Sequence, residues 1–355
     1  MNTQIVKVDI QHLEKDIDKI QAAGNIIMEG GLIAFPTETV YGLGADGLKK
    51  EGSSKIYEAK GRPSDNPLII HISRIQDLEE IVLEMPGKAK ELAKAFWPGP
   101  LTMVFKKSKR VPYETTGGLE TVAVRMPNHP VALALIEHGG GYIAAPSANT
   151  SGKPSPTLAS HVADDLNGKI DMILDGGPVG IGIESTILDM TTVPPIILRP
   201  GFITKNMIEE VIGSVEIDPV VLGDTSQDFK PKAPGMKYKH YAPKADLIIL
   251  EGNMEHVISK INQLIVEKTE QNMKVGVIGT DETISFYTGG QVKSIGSRED
   301  EETIARRLYR ILREFDKLDI DVIYSESFST PQMGQAIMNR LLKAAGHQIL
   351  NVKGV

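Results

Sequence analysis

The chain has 355 residues, 41% hydrophobic and 24% charged, the composition of an ordinary globular protein whose length suggests two domains rather than one. A net charge of −7 argues against a surface that grips nucleic acid through many phosphates. It holds in both halves: 21 Lys and Arg face 26 Asp and Glu in residues 1–213, and 18 face 20 in the rest. The absence of cysteine excludes disulfides, thiol nucleophiles and cysteine-ligated zinc, and no apolar run approaches the roughly 18 residues that span a bilayer, so cytoplasmic residence is the default expectation.

Val6, Val8 and Ile10 alternate with Lys7 and Asp9, which predicts a strand rather than the apolar block of a signal peptide. Apolar residues at Leu13, Ile17, Ile20, Ile26 and Ile27 predict a helix over 11–29, ended by Gly30-Gly31. The run Leu32 to Phe35 then reads as a strand that empties abruptly into Thr37, Glu38 and Thr39 and on to Gly42 and Gly44. Open α/β sheets bind ligands beyond the carboxyl ends of their strands, and glycines there let backbone approach a ligand. Thr37, Glu38 and Thr39 are expected at that mouth.

A short helix over 53–59 leads into Lys60-Gly61-Arg62-Pro63-Ser64-Asp65-Asn66-Pro67, followed by a strand over 68–72. A guanidinium fork beside an ammonium suits anionic oxygens; a solvated loop closed by two prolines is the alternative. A helix over 86–97, a strand over 101–105 and a strand over 121–125 follow. The last of these ends on Arg125 just before Met126-Pro127, which places a cation to face a pocket. A helix over 131–137 and a strand over 142–145 open the third polar segment, Pro146 to Ser155, whose hydroxyls, Asn149 and Lys153 suit phosphate or ribose but also suit a plain turn. The runs 172–177, 180–189 and 196–201 complete an irregular alternation that favours a mixed sheet, with Ser185, Thr186 and Arg199 turned inward.

Periodicity vanishes over 215–244, where Phe229 to Lys244 holds five lysines, His240, two tyrosines and no acid. Such a stretch could cover an anionic ligand or simply be a solvated linker. Strands at 247–250, 275–278 and 322–324 then alternate with helices at 254–270, 299–315 and 333–345, a second and smaller α/β domain with no catalytic constellation visible in its sequence. Gly42-Leu43-Gly44-Ala45-Asp46-Gly47 matches the dinucleotide fingerprint in letters only, because Pro36 to Tyr41 separate it from the strand end. With no Walker sequence and scattered histidines, no protein-built metal site is expected, and any Mg²⁺ arrives with a nucleotide. The residues themselves therefore point to an unusual nucleotide site.

The runs PTETVYGLGAD, KGRPSDNPLIIH, TVAVRMPNHP, APSANTSGKPSPT, GIESTILD and PGMKYKHYAP, in this order over almost the whole chain, resemble the threonylcarbamoyl-AMP synthase family in its long, two-domain form. The resemblance implies a YrdC-type catalytic domain over 1–214 built on a twisted mixed sheet with flanking helices. A linker over 215–244 closing on the active site and a Rossmann-like α/β domain over 245–355 follow from it too. It implies condensation of L-threonine, bicarbonate and ATP to threonylcarbamoyl-adenylate and pyrophosphate, for N6-threonylcarbamoyladenosine in tRNA, with Mg²⁺ accompanying ATP and a transferase complex as a possible partner. By motif, Arg62, Asn66, Thr121, Ser147, Ser155, Arg199 and Tyr238 would contact ATP, with Lys60 and Arg62 catalytic. Thr39, His71, Arg125, Ala145 and Ser185 would hold L-threonine. The alternatives are a double-stranded RNA or tRNA binding module without turnover, against which the acidic balance counts, and a small-molecule binding protein that has lost turnover.

Overall fold

A computed structural model describes residues 2–222, 240–328 and 333–352. They fall into two compact units, Met1–Ser151 with Ser155–Tyr238 and Gly152–Pro154 with Lys239–Val355. In the first, the chain runs β1 (Gln4–Lys7), α1 (Ile17–Met28), β2 (Ile33–Phe35), β3 (Gly42–Asp46), α2 (Lys50–Lys60), β4 (Ile69–His71), α3 (Leu78–Ile81) and α4 (Gly87–Phe96). It continues with β5 (Leu101–Lys106), α5 (Tyr113–Thr116), β6 (Thr121–Arg125), α6 (Pro130–His138), β7 (Ile143–Ala144), α7 (Ala159–Leu166) and β8 (Met172–Asp175). β9 (Thr186–Asp189), β10 (Ile196–Arg199), α8 (Lys205–Ile212) and β11 (Glu216–Ile217) close the unit.

Its strands form one 11-stranded sheet in the order β1-β8-β2-β3-β7-β4-β6-β5-β9-β10-β11. The sheet is mixed, as the irregular alternation predicts: β4 runs parallel to β6, while β5 is antiparallel to β6. One face is covered by helices over a core that includes Ile70, Leu92, Leu101, Met103, Val122 and Val124. α1 starts later than its apolar spacing suggests, because Leu13–Lys15 form a 3₁₀ turn ahead of it.

The glycines after β2 have a different role from the one expected. Gly42 and Gly44 lie inside β3, paired with β2. A Cβ on Gly44 would stand 2.7 Å from Ile143 and 2.9 Å from Phe35, so side-chain packing against the strand already requires glycine there. Gly61 ends α2 in the left-handed conformation, φ 60°, and so turns the chain from Lys60 into the Arg62 loop.

The second unit consists of β12 (Asp246–Gly252), α9 (Met254–Glu270), β13 (Val275–Gly279), β14 (Gln291–Ser294), α10 (Glu301–Asp316), β15 (Val322–Glu326), α11 (Gly334–Ala344) and β16 (Ile349–Val352). All its strand pairs are parallel, in the order β14-β13-β15-β12-β16, the crossover-built sheet that alternating strands and helices dictate. Ile304, Leu308, Ile311, Leu312 and Phe315 are buried along one stripe of α10, at the spacing their sequence shows.

Candidate active site

Register across the sheet assembles the first part of the site. His71 on β4 is the partner of Arg125 on β6, Arg125 of Thr102 on β5 and Thr102 of Ile187 on β9; Ile187 in turn meets Arg199 on β10 across a register shift between Ile197 and Arg199. Residues opposed in this way project from the same face, and residues two apart along a strand share it. Ile69, Ala123 and Val104, two positions back on β4, β6 and β5, accordingly form a small apolar cluster with Ile187 and Leu198. The sheet thus presents an apolar floor that turns into a row of His71, Arg125 and Thr102. The sequence shows it as the alternations Ile69-Ile70-His71 and Ala123-Val124-Arg125.

Arg125 is 4% exposed, and its guanidinium is held from several sides. Nε donates to the Gly99 carbonyl at 3.3 Å and Nη1 to Thr39 Oγ1 at 3.0 Å, while Nη2 stands 2.7 Å from Glu38 Oε2. Thr37 and Thr39 follow β2 and are both buried. Thr37 Oγ1 lies 2.7 Å from the Val40 carbonyl, which can only accept, so the Thr37 proton points there and Thr39 donates across their 2.9 Å contact. The result is a directional chain from Arg125 through Thr39 and Thr37 to main chain. On the neighbouring strands, Thr102 and Ser185 share a hydroxyl contact of 2.8 Å. Arg199 reaches Ser185 twice, Nε to its carbonyl at 3.1 Å and Nη2 to Oγ at 3.2 Å.

His71 is buried edge-on to Phe35. Burial, reinforced by the Arg125 charge, pushes its pKa down to about 3, so the ring is neutral at physiological pH. Its Nδ1 lies 3.1 Å from the Ile69 carbonyl, which assigns the ring proton to Nδ1 and leaves Nε2 as an acceptor. Ala145 follows β7, its amide donating to Ile69 at 2.9 Å.

The second part of the site is cationic. Lys60, the last residue of α2, is 1% exposed and directs Nζ to the carbonyls of Ser147 and Asn149. A buried ammonium is costly unless its donors are used, and here two carbonyls of the third polar segment use them. Ser147 Oγ donates to Asn149 Oδ1 at 2.5 Å. Arg62 folds back over its own loop, Nε to Asn66 O at 3.3 Å and Nη2 to Pro67 O at 3.2 Å. Asn66 is 2% exposed, and its side-chain oxygen has no hydrogen-bond partner. Ser155 is fully buried and donates to Glu184 Oε1 at 2.5 Å.

The two parts are joined by the chain itself. Glu184, which holds Ser155, precedes Ser185, and Gly182 N donates to Thr39 O at 3.0 Å. Thr121 stands apart from the first part: it opens β6 where Arg125 closes it, about 13 Å along the strand. Tyr238 lies outside the described residues. Thr102, Glu184 and His129 are not among the residues the sequence singles out. Thr102 and Glu184 carried a signal, the first by its alternate position in Leu101-Thr102-Met103-Val104-Phe105 and the second as neighbour of Ser185.

Residues 25–201 match the Sua5/YciO/YrdC family, described as telomere recombination, and residues 203–346 match the threonylcarbamoyl-AMP synthase C-terminal domain. The chain is 52% identical over 337 residues to the threonylcarbamoyl-AMP synthase of Pyrococcus abyssi, covering 94% of this chain and 96% of that one. It is 51% identical over 352 residues to the enzyme of Bacillus subtilis, covering 99% and 100%. The crystal structure of P. abyssi Sua5 complexed with L-threonine superposes with a TM-score of 0.92 at 49% identity, over 99% of this chain and 100% of that one. Matched from end to end in sequence and fold, this chain belongs to the threonylcarbamoyl-AMP synthase family, in the long form that couples the YrdC-type domain to the Sua5 C-terminal domain.

Proposed function

We propose that the site on this sheet face condenses L-threonine, bicarbonate and ATP to threonylcarbamoyl-adenylate and pyrophosphate, the intermediate that a transferase complex places on tRNA as N6-threonylcarbamoyladenosine. The observation that carries the reading is the buried row of His71, Arg125 and Thr102, with Thr39 and Ser185 bonded to it, together with the buried Lys60 bonded to the Ser147 and Asn149 carbonyls just after Ala145. It gives an amino acid one cation, several hydroxyls and a neutral imidazole, next to a separate cationic loop for phosphates. That a relative of the same fold is described as complexed with L-threonine supports the amino acid.

In this reading Arg125 takes the threonine carboxylate, and Thr39, Ser185 and the Ala145 main chain fix its orientation. His71 Nε2, an acceptor, meets the side-chain hydroxyl. A pocket that tests the hydroxyl by hydrogen bonding rejects analogues lacking it far better than it rejects serine, from which threonine differs by a methyl group worth about 1–3 kcal/mol. The carbamate formed from the amine and bicarbonate attacks the α-phosphorus as pyrophosphate leaves. Such a transfer needs alignment and neutralised charge more than a strong base, and Lys60, Arg62 and Arg199 supply cations, with Asn66, Thr121, Ser147 and Ser155 on the nucleotide. Mg²⁺ carried on the ATP phosphates would neutralise charge there. Among the described residues no helix is long and apolar enough to cross a membrane.

The test is incubation of the protein with ATP, Mg²⁺, bicarbonate and labelled L-threonine. A labelled adenylate and pyrophosphate should appear together and only when bicarbonate and threonine are both present. Pyrophosphate without labelled adenylate, or neither, would refute the reading.

A further inference from the structure

Building on the amino-acid reading of the site, we propose that Glu38 seats the substrate ammonium and accepts the proton that the amine must lose before it is carboxylated. Glu38 lies between Thr37 and Thr39, its side chain 13% exposed and its Oε2 2.7 Å from Arg125 Nη2. The pair is close in charge but not aligned as a hydrogen bond. Both Glu38 oxygens and Arg125 Nη2 are buried atoms without a hydrogen-bond partner. The remaining nitrogens of Arg125 are engaged by Gly99 and Thr39, so Nη2 is its one nitrogen without a hydrogen bond; it faces the Glu38 carboxylate as an ion pair in which Glu38 Oε1 has no partner.

A buried carboxylate that serves structure alone looks different, and the same chain contains one. Glu326, fully buried, accepts from the Thr283 and Tyr287 hydroxyls on Oε1 and from Arg298 on Oε2. Buried acceptors are normally satisfied in this way, and an unsatisfied one marks a place where a partner is missing. The partner that fits Glu38 is an α-amino acid. Its carboxylate and ammonium sit on one carbon, so laid antiparallel to the Arg125–Glu38 pair it gives four charges of alternating sign and supplies each unmatched atom with its complement.

The surroundings keep Glu38 in place without occupying its oxygens. Ile181 N holds the Glu38 carbonyl at 2.8 Å, Gly182 N holds that of Thr39 at 3.0 Å, and the Thr37 proton is committed to Val40. The titratable group beside it other than Arg125 is His129, whose Nδ1 is also buried without a partner. Burial lowers the His129 pKa to about 4 against the pull of Glu38, so the ring is neutral and the carboxylate faces one fixed cation, Arg125.

Chemistry requires such a group. Threonine arrives as the ammonium zwitterion, and an ammonium has no lone pair. Transfer of one proton from nitrogen to Glu38 leaves a neutral amine and a carboxylic acid. The amine nitrogen then bonds to the bicarbonate carbon, and the C–OH bond breaks, its hydroxyl leaving with a second amine proton as water. A carbamate remains, and Glu38 returns its proton to solvent.

Isothermal titration of wild type and Glu38→Gln with L-threonine and with 2,3-dihydroxybutanoate, which carries a hydroxyl in place of the ammonium, tests the seat. Wild type should prefer threonine by at least about tenfold, and Glu38→Gln should bind the two acids equally, because Arg125 still takes their carboxylate. At saturating threonine, adenylate formation by Glu38→Gln should rise about tenfold per pH unit from pH 7 to 8 while wild type stays flat, since solvent must now remove the proton. A preference unchanged in Glu38→Gln, or equal loss of both ligands with no alkaline rise, would overturn the proposal and make Glu38 a prop for Arg125. Equal affinities in wild type would overturn it without any variant. Wild type that binds neither acid would overturn the amino-acid reading of the whole site.

Discussion

Replacing Arg125 with alanine separates what this residue does for the fold from what it does for the ligand. Its guanidinium donates to Gly99 and Thr39 and pairs with Glu38, all with the side chain 5% exposed. Removing it strands Glu38, 13% exposed, without its counter-charge, and breaking a buried pair on one side costs about 3–5 kcal/mol of stability. Loss of the two engaged hydrogen bonds adds to this, since the abandoned Gly99 and Thr39 oxygens are acceptors in a dry place. For the ligand, one charge-assisted hydrogen bond from Nη2 to the threonine carboxylate, at about 1.5–3 kcal/mol, corresponds to at least about a tenfold loss of affinity. Adding Glu38→Gln to Arg125→Ala should return part of the stability, because the stranded charge is gone, but none of the threonine affinity. Urea unfolding and calorimetric titration of the two single variants and the double variant measure both quantities. Threonine binding by Arg125→Ala within threefold of wild type, or a double variant no more stable than Arg125→Ala, would refute the reasoning.

Acid should weaken the fold through its buried imidazoles. The pKa values of His71 and His129 are lowered by burial to about 3 and about 4, so between those values and the ordinary imidazole value of 6.5 the unfolded chain binds more protons. Stability is then full above pH 6.5 and falls with pH below it, by up to about 1.4 kcal/mol per pH unit for each histidine. In urea unfolding from pH 7.5 to 5, His71→Asn should flatten that slope, and an unchanged slope would contradict its burial as a neutral ring. Lys60→Met should abolish adenylate formation and cost roughly 1–3 kcal/mol of stability, as it leaves the Ser147 and Asn149 carbonyls without their donor; full turnover in the pyrophosphate assay would remove Lys60 from the machinery. Gly44→Ala should cost about 1–3 kcal/mol in chemical denaturation with the KM for ATP unchanged, because its Cβ meets Ile143 and Phe35 rather than a ligand.

Much of this arrangement is visible in the chain before any coordinates. Thr37, Glu38 and Thr39 announce themselves because an apolar strand stops and hydroxyls begin. Arg125 does so because a cation ends an apolar strand ahead of a proline. What alternation along one strand does not reveal is which strands are neighbours. The row from His71 through Arg125 and Thr102 to Arg199 depends on β4, β6, β5, β9 and β10 lying side by side, which long-range pairing decides. Thr102 stands out in its strand as a polar residue among apolar ones, but it becomes part of the site only through that pairing. The glycines of β3 misled for a related reason: a glycine forced by a neighbouring strand and one forced by a ligand look alike in sequence. The helices α7 and α8 have only eight residues each, too few for a periodic pattern to stand out, whereas the long apolar stripe of α10 is plain. The cluster of Thr283, Tyr287, Arg298 and Glu326 in the second unit joins Glu326 to residues 28 to 43 positions away, beyond the reach of any local pattern.

The most direct test of the account is the position of L-threonine in a crystal structure of this protein. The account predicts its carboxylate on Arg125, its ammonium on Glu38 and its hydroxyl on His71 Nε2, above the floor of Ile69, Val104 and Ala123. Threonine bound instead against Lys60 and Arg62, with Arg125 and Glu38 still facing each other, would contradict it.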